Sequence, residues 1–241
     1  RGQNEQSMAL AAIGYAKAKL RRQIMIATTS VGPGATNMVT AAGVAHSNRL
    51  PVLLLSGDTY NNRLPDPVLQ QVEHFGEPST TVNDSFRSVS RFWDRITHPA
   101  QILSSLPQAV ATMMDPADCG PAFIGLPQDV QEIAYDYPVE FFNETTWRIP
   151  RSRPDLQQVD EAVKILKTAK KPLIISGGGV RYSGAVEALV KFSEDRMIPV
   201  AETIAGKGAF VHDHPFYVGA IGIEGTDAAK ELAENADVII A

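Results

Sequence analysis

Two apolar runs set the frame for reading the chain. Pro51-Val52-Leu53-Leu54-Leu55-Ser56 and Pro121-Ala122-Phe123-Ile124-Gly125-Leu126-Pro127 are short and bounded by turn residues. Their hydrophobicity is continuous rather than alternating, which predicts strands buried on both faces, as in a parallel sheet. Gly57-Asp58 is read as the end of the first. Elsewhere apolar positions recur at helical spacing. A helix over 5–20 places Met8, Ala12, Tyr15 and Ala16 on one face of an alanine-rich stretch. A strand over 23–28 and a helix over 35–48 follow, separated by Gly32-Pro33-Gly34. Residues 59–67 read as loop, 67–75 as a short helix, the Ser- and Arg-rich stretch beyond as irregular, and 98–114 as a helix.

The rhythm breaks over 136–154, where Pro138, Pro150 and Pro154 bracket a polar, aromatic segment of linker type. It resumes with a helix over 155–169, carrying Leu156, Val159, Val163 and Leu166 on one stripe, then a strand over 172–176. Gly177-Gly178-Gly179, a helix over 183–195, a strand over 198–201 and a glycine-rich stretch to Gly225 come next. A helix over 227–235 and a strand over 237–241 complete the pattern. The alternation predicts an α/β fold with two parallel-sheet domains, over 1–140 and 155–241, joined by a linker at 141–154. The chain starts at Arg1 rather than Met and stops inside the apolar run Val238-Ile239-Ile240-Ala241. Both domains are therefore expected to be truncated pieces of a longer polypeptide.

Composition narrows the function classes. A hydrophobic fraction of 44% with 20% charged residues fits a chain with a proper core. A formal net charge of −5 argues against a nucleic-acid surface. The basic cluster Lys17, Lys19, Arg21 and Arg22 reads as the solvated C-terminal end of a helix. A single cysteine, Cys119, permits no disulfide within the chain and predicts a reducing, cytoplasmic setting. Cys119 itself reads as a small buried hydrophobe. No stretch approaches the ~18 apolar residues of a membrane span.

The candidate chemistry centres on Gly32-Pro33-Gly34-Ala35-Thr36-Asn37, a turn between strand and helix. Ligand sites in open α/β sheets form at the carboxyl ends of strands. The turn lacks both the lysine of a phosphate-binding loop and the spacing of a dinucleotide fingerprint. Gly177-Gly178-Gly179 fails the fingerprint too, so a nucleotide-binding module has only weak support. The five histidines are scattered without zinc-site spacing, and no Gly-x-Ser-x-Gly elbow is present. Glu5, in Gly2-Gln3-Asn4-Glu5, stands at a helix N-terminus, where acids are common.

As an ordered set, these segments resemble thiamine-diphosphate enzymes of the acetolactate-synthase type. The resemblance rests on Gly2-Gln3-Asn4-Glu5, the Gly-Pro-Gly turn through Asn37, Ser56-Gly57-Asp58, Gly120-Pro121 to Val130, and Lys171-Pro172 to Gly206-Lys207-Gly208. Further segments, among them Ala45-His46-Ser47-Asn48-Arg49-Leu50-Pro51, Gln70-Gln71-Val72-Glu73-His74-Phe75 and Trp93 to Pro99, are similar to the branch that opens a cyclic 1,2-diketone in inositol catabolism. Asn4 stands where acetolactate synthases usually carry His, which argues against a plain pyruvate-condensing carboligase, the alternative reading.

The resemblance implies a pyrimidine-binding domain followed by a central domain. It implies that Glu5 hydrogen-bonds N1′ of the aminopyrimidine and so drives loss of the thiazolium C2 proton. A raised Glu5 pKa would suit that role, provided burial outweighs the helix N-terminus. Gly32, Pro33, Gly34 and Asn37 would wall the cofactor pocket. A family glutamine near cofactor and substrate matches Gln70 or Gln71 and is assigned to Gln70. His46 and His74 are candidate substrate contacts. The family's Mg²⁺ and pyrophosphate site belongs to a further domain, so no metal ligand is expected here, nor turnover by these residues alone. FAD, held by some relatives in the central domain, is a possible second cofactor. Homodimers, or dimers of dimers, are expected, because family active sites form between subunits.

Overall fold

A computed structural model describes residues 2–65 and 68–241. The chain folds as two compact units, residues 1–151 and 152–241. In the first, the predicted apolar runs are the central strands. β2 (Val52–Asp58) and β4 (Pro121–Pro127) are adjacent and parallel, and their first residues are buried without alternation. β1 (Ile26–Thr29) pairs with the free edge of β2, and β3 (Phe92–Arg95) with that of β4, giving a parallel sheet of order β1-β2-β4-β3. β2 runs on through Gly57 and Asp58, which were expected to end it.

The helices follow from caps and small residues. α1 (Glu5–Ala18) starts where Asn4 Oδ1 accepts from the Ser7 backbone N–H at 3.0 Å. Its buried stripe is Ala9, Ala12, Ile13 and Ala16, while Tyr15 is exposed and donates to Gln23 Oε1. The helix expected over 35–48 begins earlier and in two parts, α2 (Pro33–Thr36) and α3 (Val39–Ser47). Pro33 at the first helical position is preset for that start. The buried alanines of α1 and α3 let the two helices pack closely side by side. α4 (Ile102–Met114) covers the other end of the sheet, where Ile96, Ala109, Met113 and Ile124 share a core. No helix is found over residues 68–75, and Pro67 lies outside the described residues.

The second unit holds a parallel sheet of order β7-β6-β5-β8. Its strands are β5 (Pro172–Ser176), β6 (Val200–Glu202), β7 (Tyr217–Ala220) and β8 (Val238–Ile240). α5 (Leu156–Thr168) precedes them, and its Leu156, Val159 and Val163 stripe is exposed. The helix expected over 183–195 is α7 (Val186–Arg196); a further short helix, α6 (Gly178–Ser183), forms before it, with Gly184 left-handed between them. α8 (Asp227–Asn235) is capped by the Thr226 side chain. β7 was not expected. It lies in the glycine-rich stretch and pairs with β6 through a register shift that brings Gly219 opposite Ala201 at φ 100°.

Candidate active site at the Gly-Pro-Gly turn

The turn following β1 is built by backbone that no side chain could share. Gly32 has φ 71°, and a Cβ there would sit 1.6 Å from the Gln70 carbonyl oxygen. At Gly34 a Cβ would sit 2.7 Å from Thr29 Oγ1 and 3.6 Å from Glu5 Oε1. The turn is thus pressed between the head of α1 and the segment leading into Gln71. Gly57 closes it from below, since a Cβ there would lie 3.1 Å from the Val31 nitrogen.

Glu5 occupies the first turn of α1 and is half-buried. Its Oε2 accepts from Asn37 Nδ2 at 2.8 Å. Asn37, directly after α2, is thereby tied to a helix 32 residues earlier in the chain. The Asn37 amide, and then Glu5's own backbone N–H, hold the carboxyl below its ordinary value; burial opposes them and loses. The direction is opposite to the raised pKa expected from the sequence, because within this chain burial does not dominate. Thr29 Oγ1 is buried nearby without a hydrogen-bond partner.

The remaining candidates fall in different places. Gln70 is exposed at φ 65°, with its carbonyl against Gly32. Its neighbour Gln71 is buried, and its Oε1 accepts from the Tyr60 N–H at 3.3 Å. His74 is exposed and lines the same cavity as Gln71. His46 sits in the last turn of α3. Asn48 beside it receives Arg21 Nη2 from beyond the C-terminal end of α1 at 3.4 Å. The nine residues from Asn37 to His46 correspond to roughly 13 Å of helix rise, so His46 lies at the opposite end of the helix pair from Glu5.

A second polar cluster lies at the carboxyl end of β2. Asp58, fully buried, receives Arg95 Nε at 2.7 Å. Arg95 Nη2 also reaches Asp84 Oδ2 and Thr81 Oγ1, each at 2.7 Å. Arg87 adds a bond to Asp84 Oδ1 at 2.7 Å and stacks on Trp93, 3.5 Å from the ring centroid. Periodicity gave no sign of this cluster, because Asp94 and Arg95 make β3 look like loop.

Two other sequence features are absorbed by structure. Cys119 is buried, and burial, with Arg21 opposing, pushes its thiol up to about 11. Gly178 and Gly179 open α6, with Gly177 as its N-cap; a Cβ on Gly178 would lie 3.1 Å from the Ala205 carbonyl oxygen, while Gly177 and Gly179 have open space around them. Three backbone N–H groups further along the chain, from Gly208, Ala209 and Phe210, bond to the buried Glu202 carboxylate.

Comparison with known proteins finds matches in both units of the chain. Residues 1–76 match the thiamine pyrophosphate enzyme N-terminal TPP binding domain, and residues 159–241 match the thiamine pyrophosphate enzyme central domain. The chain is 53% identical over 239 residues to 3D-(3,5/4)-trihydroxycyclohexane-1,2-dione hydrolase of Geobacillus thermodenitrificans, covering 99% of the chain and 37% of that relative. Proteins of the same name from Clostridium tetani and Bacillus cereus are 51% and 48% identical over the same shares. The chain spans 37% of the length of these curated relatives. With two parallel α/β sheets in the matching order, the chain belongs to the thiamine pyrophosphate enzymes, as their N-terminal TPP binding domain followed by their central domain.

Proposed function

We propose that the protein containing this chain hydrolyses a carbon–carbon bond of a cyclic 1,2-dione with thiamine diphosphate as cofactor, and that Glu5 is the carboxylate that meets the aminopyrimidine. The carrying observation is the Glu5–Gly34–Thr29 corner. A carboxylate oxygen faces a glycine wall beside a buried hydroxyl without a partner. A flat heteroaromatic edge with both a donor and an acceptor fits those groups. Bound there, the cofactor supplies the electron sink that lets a bond next to a carbonyl break. Relatives about half identical in sequence carry the name of a cyclic dione hydrolase.

The chain's own residues have defined tasks. Asn37 orients the Glu5 carboxylate through one oxygen and leaves the other facing Gly34. Glu5 holds or accepts a proton at the ring nitrogen it faces. For that exchange its lowered pKa must rise, and covering the half-exposed carboxyl with a second copy of the protein supplies the burial. Mg²⁺ and the pyrophosphate are assigned to residues outside 1–241. The matched domains are those of thiamine pyrophosphate enzymes and give FAD no support.

The test uses the full-length protein, the cyclic dione, Mg²⁺ and thiamine diphosphate. Dione consumption should require thiamine diphosphate, and Glu5→Ala should lower kcat by about 100-fold or more while leaving the melting temperature near that of wild type. Unchanged kcat in Glu5→Ala would remove Glu5 from the mechanism. Acetolactate formation from pyruvate without dione cleavage would replace the hydrolase reading by the carboligase one.

A further inference from the structure

Beside the carboxyl end of β2 lies a cavity of about 170 Å³, whose lining includes Thr59, Tyr60, Arg63, Gln71, Phe75 and Thr80. For scale, an apolar protein cavity of roughly 150 Å³ accommodates one benzene ring. We infer that this cavity binds a neutral, polyhydroxylated six-membered ring, with the Gln71 side-chain amide as the donor to a ring hydroxyl.

Only 8% of Gln71 is exposed, and it lines the cavity. Its Oε1 accepts from the Tyr60 N–H, which fixes the orientation of the amide, since only oxygen can take that bond. Nε2 is left buried without a partner. A buried donor left unpaired is costly, and such groups in native structures call for a ligand or a water.

Charge then selects the ligand. Arg63 and Glu73, of opposite charge, both line the cavity. Hydroxyl and imidazole groups of Thr59, Thr80 and His74 add both donors and acceptors. A pyruvate-like acid would need a surplus cation; a ring of hydroxyls needs this mixed set. Phe75 provides an apolar face for ring C–H groups.

The cavity adjoins the corner assigned to the cofactor. The Gln70 carbonyl, one residue before Gln71, lies against Gly32, and Gly57, two residues before Thr59, lies against Val31. The inference therefore rests on the proposed function and specifies which residues hold the substrate's hydroxyls.

Isothermal titration of the full-length protein with myo-inositol, an unreactive cyclic polyol, tests it, with pyruvate and cyclohexanol in parallel. Myo-inositol should bind and the other two should not. Gln71→Glu keeps the acceptor for Tyr60 and removes the donor, so it should weaken inositol binding and raise KM for the dione by about tenfold, with kcat within about threefold. Thr80→Val should act in the same direction and serves if Gln71→Glu does not fold. Absence of inositol binding, binding of pyruvate instead, or equal inositol affinity in wild type and variants overturns the inference. Dione turnover with KM unchanged in both variants would remove this cavity and leave the Glu5 reading intact. Inositol binding that depends on Gln71 in a protein inert toward the dione would do the reverse.

Discussion

Asn37 Nδ2 donates to Glu5 Oε2 at 2.8 Å, and this one bond ties the Gly-Pro-Gly turn to the head of α1. It is also the largest cause of the lowered Glu5 pKa. A carboxyl depressed in the folded state adds stability above its unfolded pKa and loses it as pH falls through the folded value. Asn37→Ala should therefore move the Glu5 titration upward, toward the ordinary 4.5. Carbon-13 NMR titration of the Glu5 carboxyl would read the shift; an unchanged midpoint would mean that Asn37 does not hold the carboxylate.

Gly32 should tolerate no side chain. Its φ of 71° disfavours any other residue, and the Gln70 carbonyl occupies the place of a Cβ. Strained backbone of this type costs about 1–3 kcal/mol, and the overlap adds to it. Gly32→Ala should lower unfolding free energy by about 3 kcal/mol or more, measured as a shifted urea midpoint with unchanged slope. Gly14→Ala, on α1 with open space around it, should be neutral or slightly stabilising in the same assay.

Cys119 should be inert in the native protein. The thiolate is the reactive form, and burial pushes the thiol up to about 11. Its Sγ also donates to the Met113 carbonyl oxygen at 3.1 Å. Iodoacetamide at pH 8 should modify it slowly in the folded protein and fast in urea. Rapid native alkylation would contradict the burial.

The sequence carried the long-range order better than the local exceptions. Continuous apolar runs located β2 and β4, and the strand over 172–176 and the helix over 227–235 coincide with β5 and α8. β3 escaped because periodicity counts Asp94 and Arg95 as surface, whereas they are paired inward, with Ser105 and with Asp58. β7 escaped because its Gly219 at φ 100° reads as loop. At the candidate site, Glu5 and the turn were visible as motifs. The Asn37–Glu5 bond was not, since spacing along the chain says nothing about which helices lie side by side. Nor could spacing separate Gln70 from Gln71; burial distinguishes them, with the second inside and the first exposed.

Arg95 should be the residue whose loss costs the first unit most at neutral pH. It is the cation on buried Asp58, and it also reaches Asp84. Removing one partner of a buried pair leaves the other charged and uncompensated, which costs about 3–5 kcal/mol; Arg95→Met should destabilise by that order. Acid should weaken the same cluster in wild type. Burial raises the Asp84 pKa, but the Thr81 N–H, Arg87 and Arg95 outweigh it and bring the carboxyl to about 2, from an ordinary 3.8. Because the folded pKa is the lower one, the stabilisation is complete above the unfolded value and disappears as pH falls from about 4 to about 2. Melting temperature followed over that window should drop more steeply in wild type than in Asp84→Asn, whose side chain cannot titrate. Parallel curves for the two proteins would show that Asp84 does not carry the acid sensitivity.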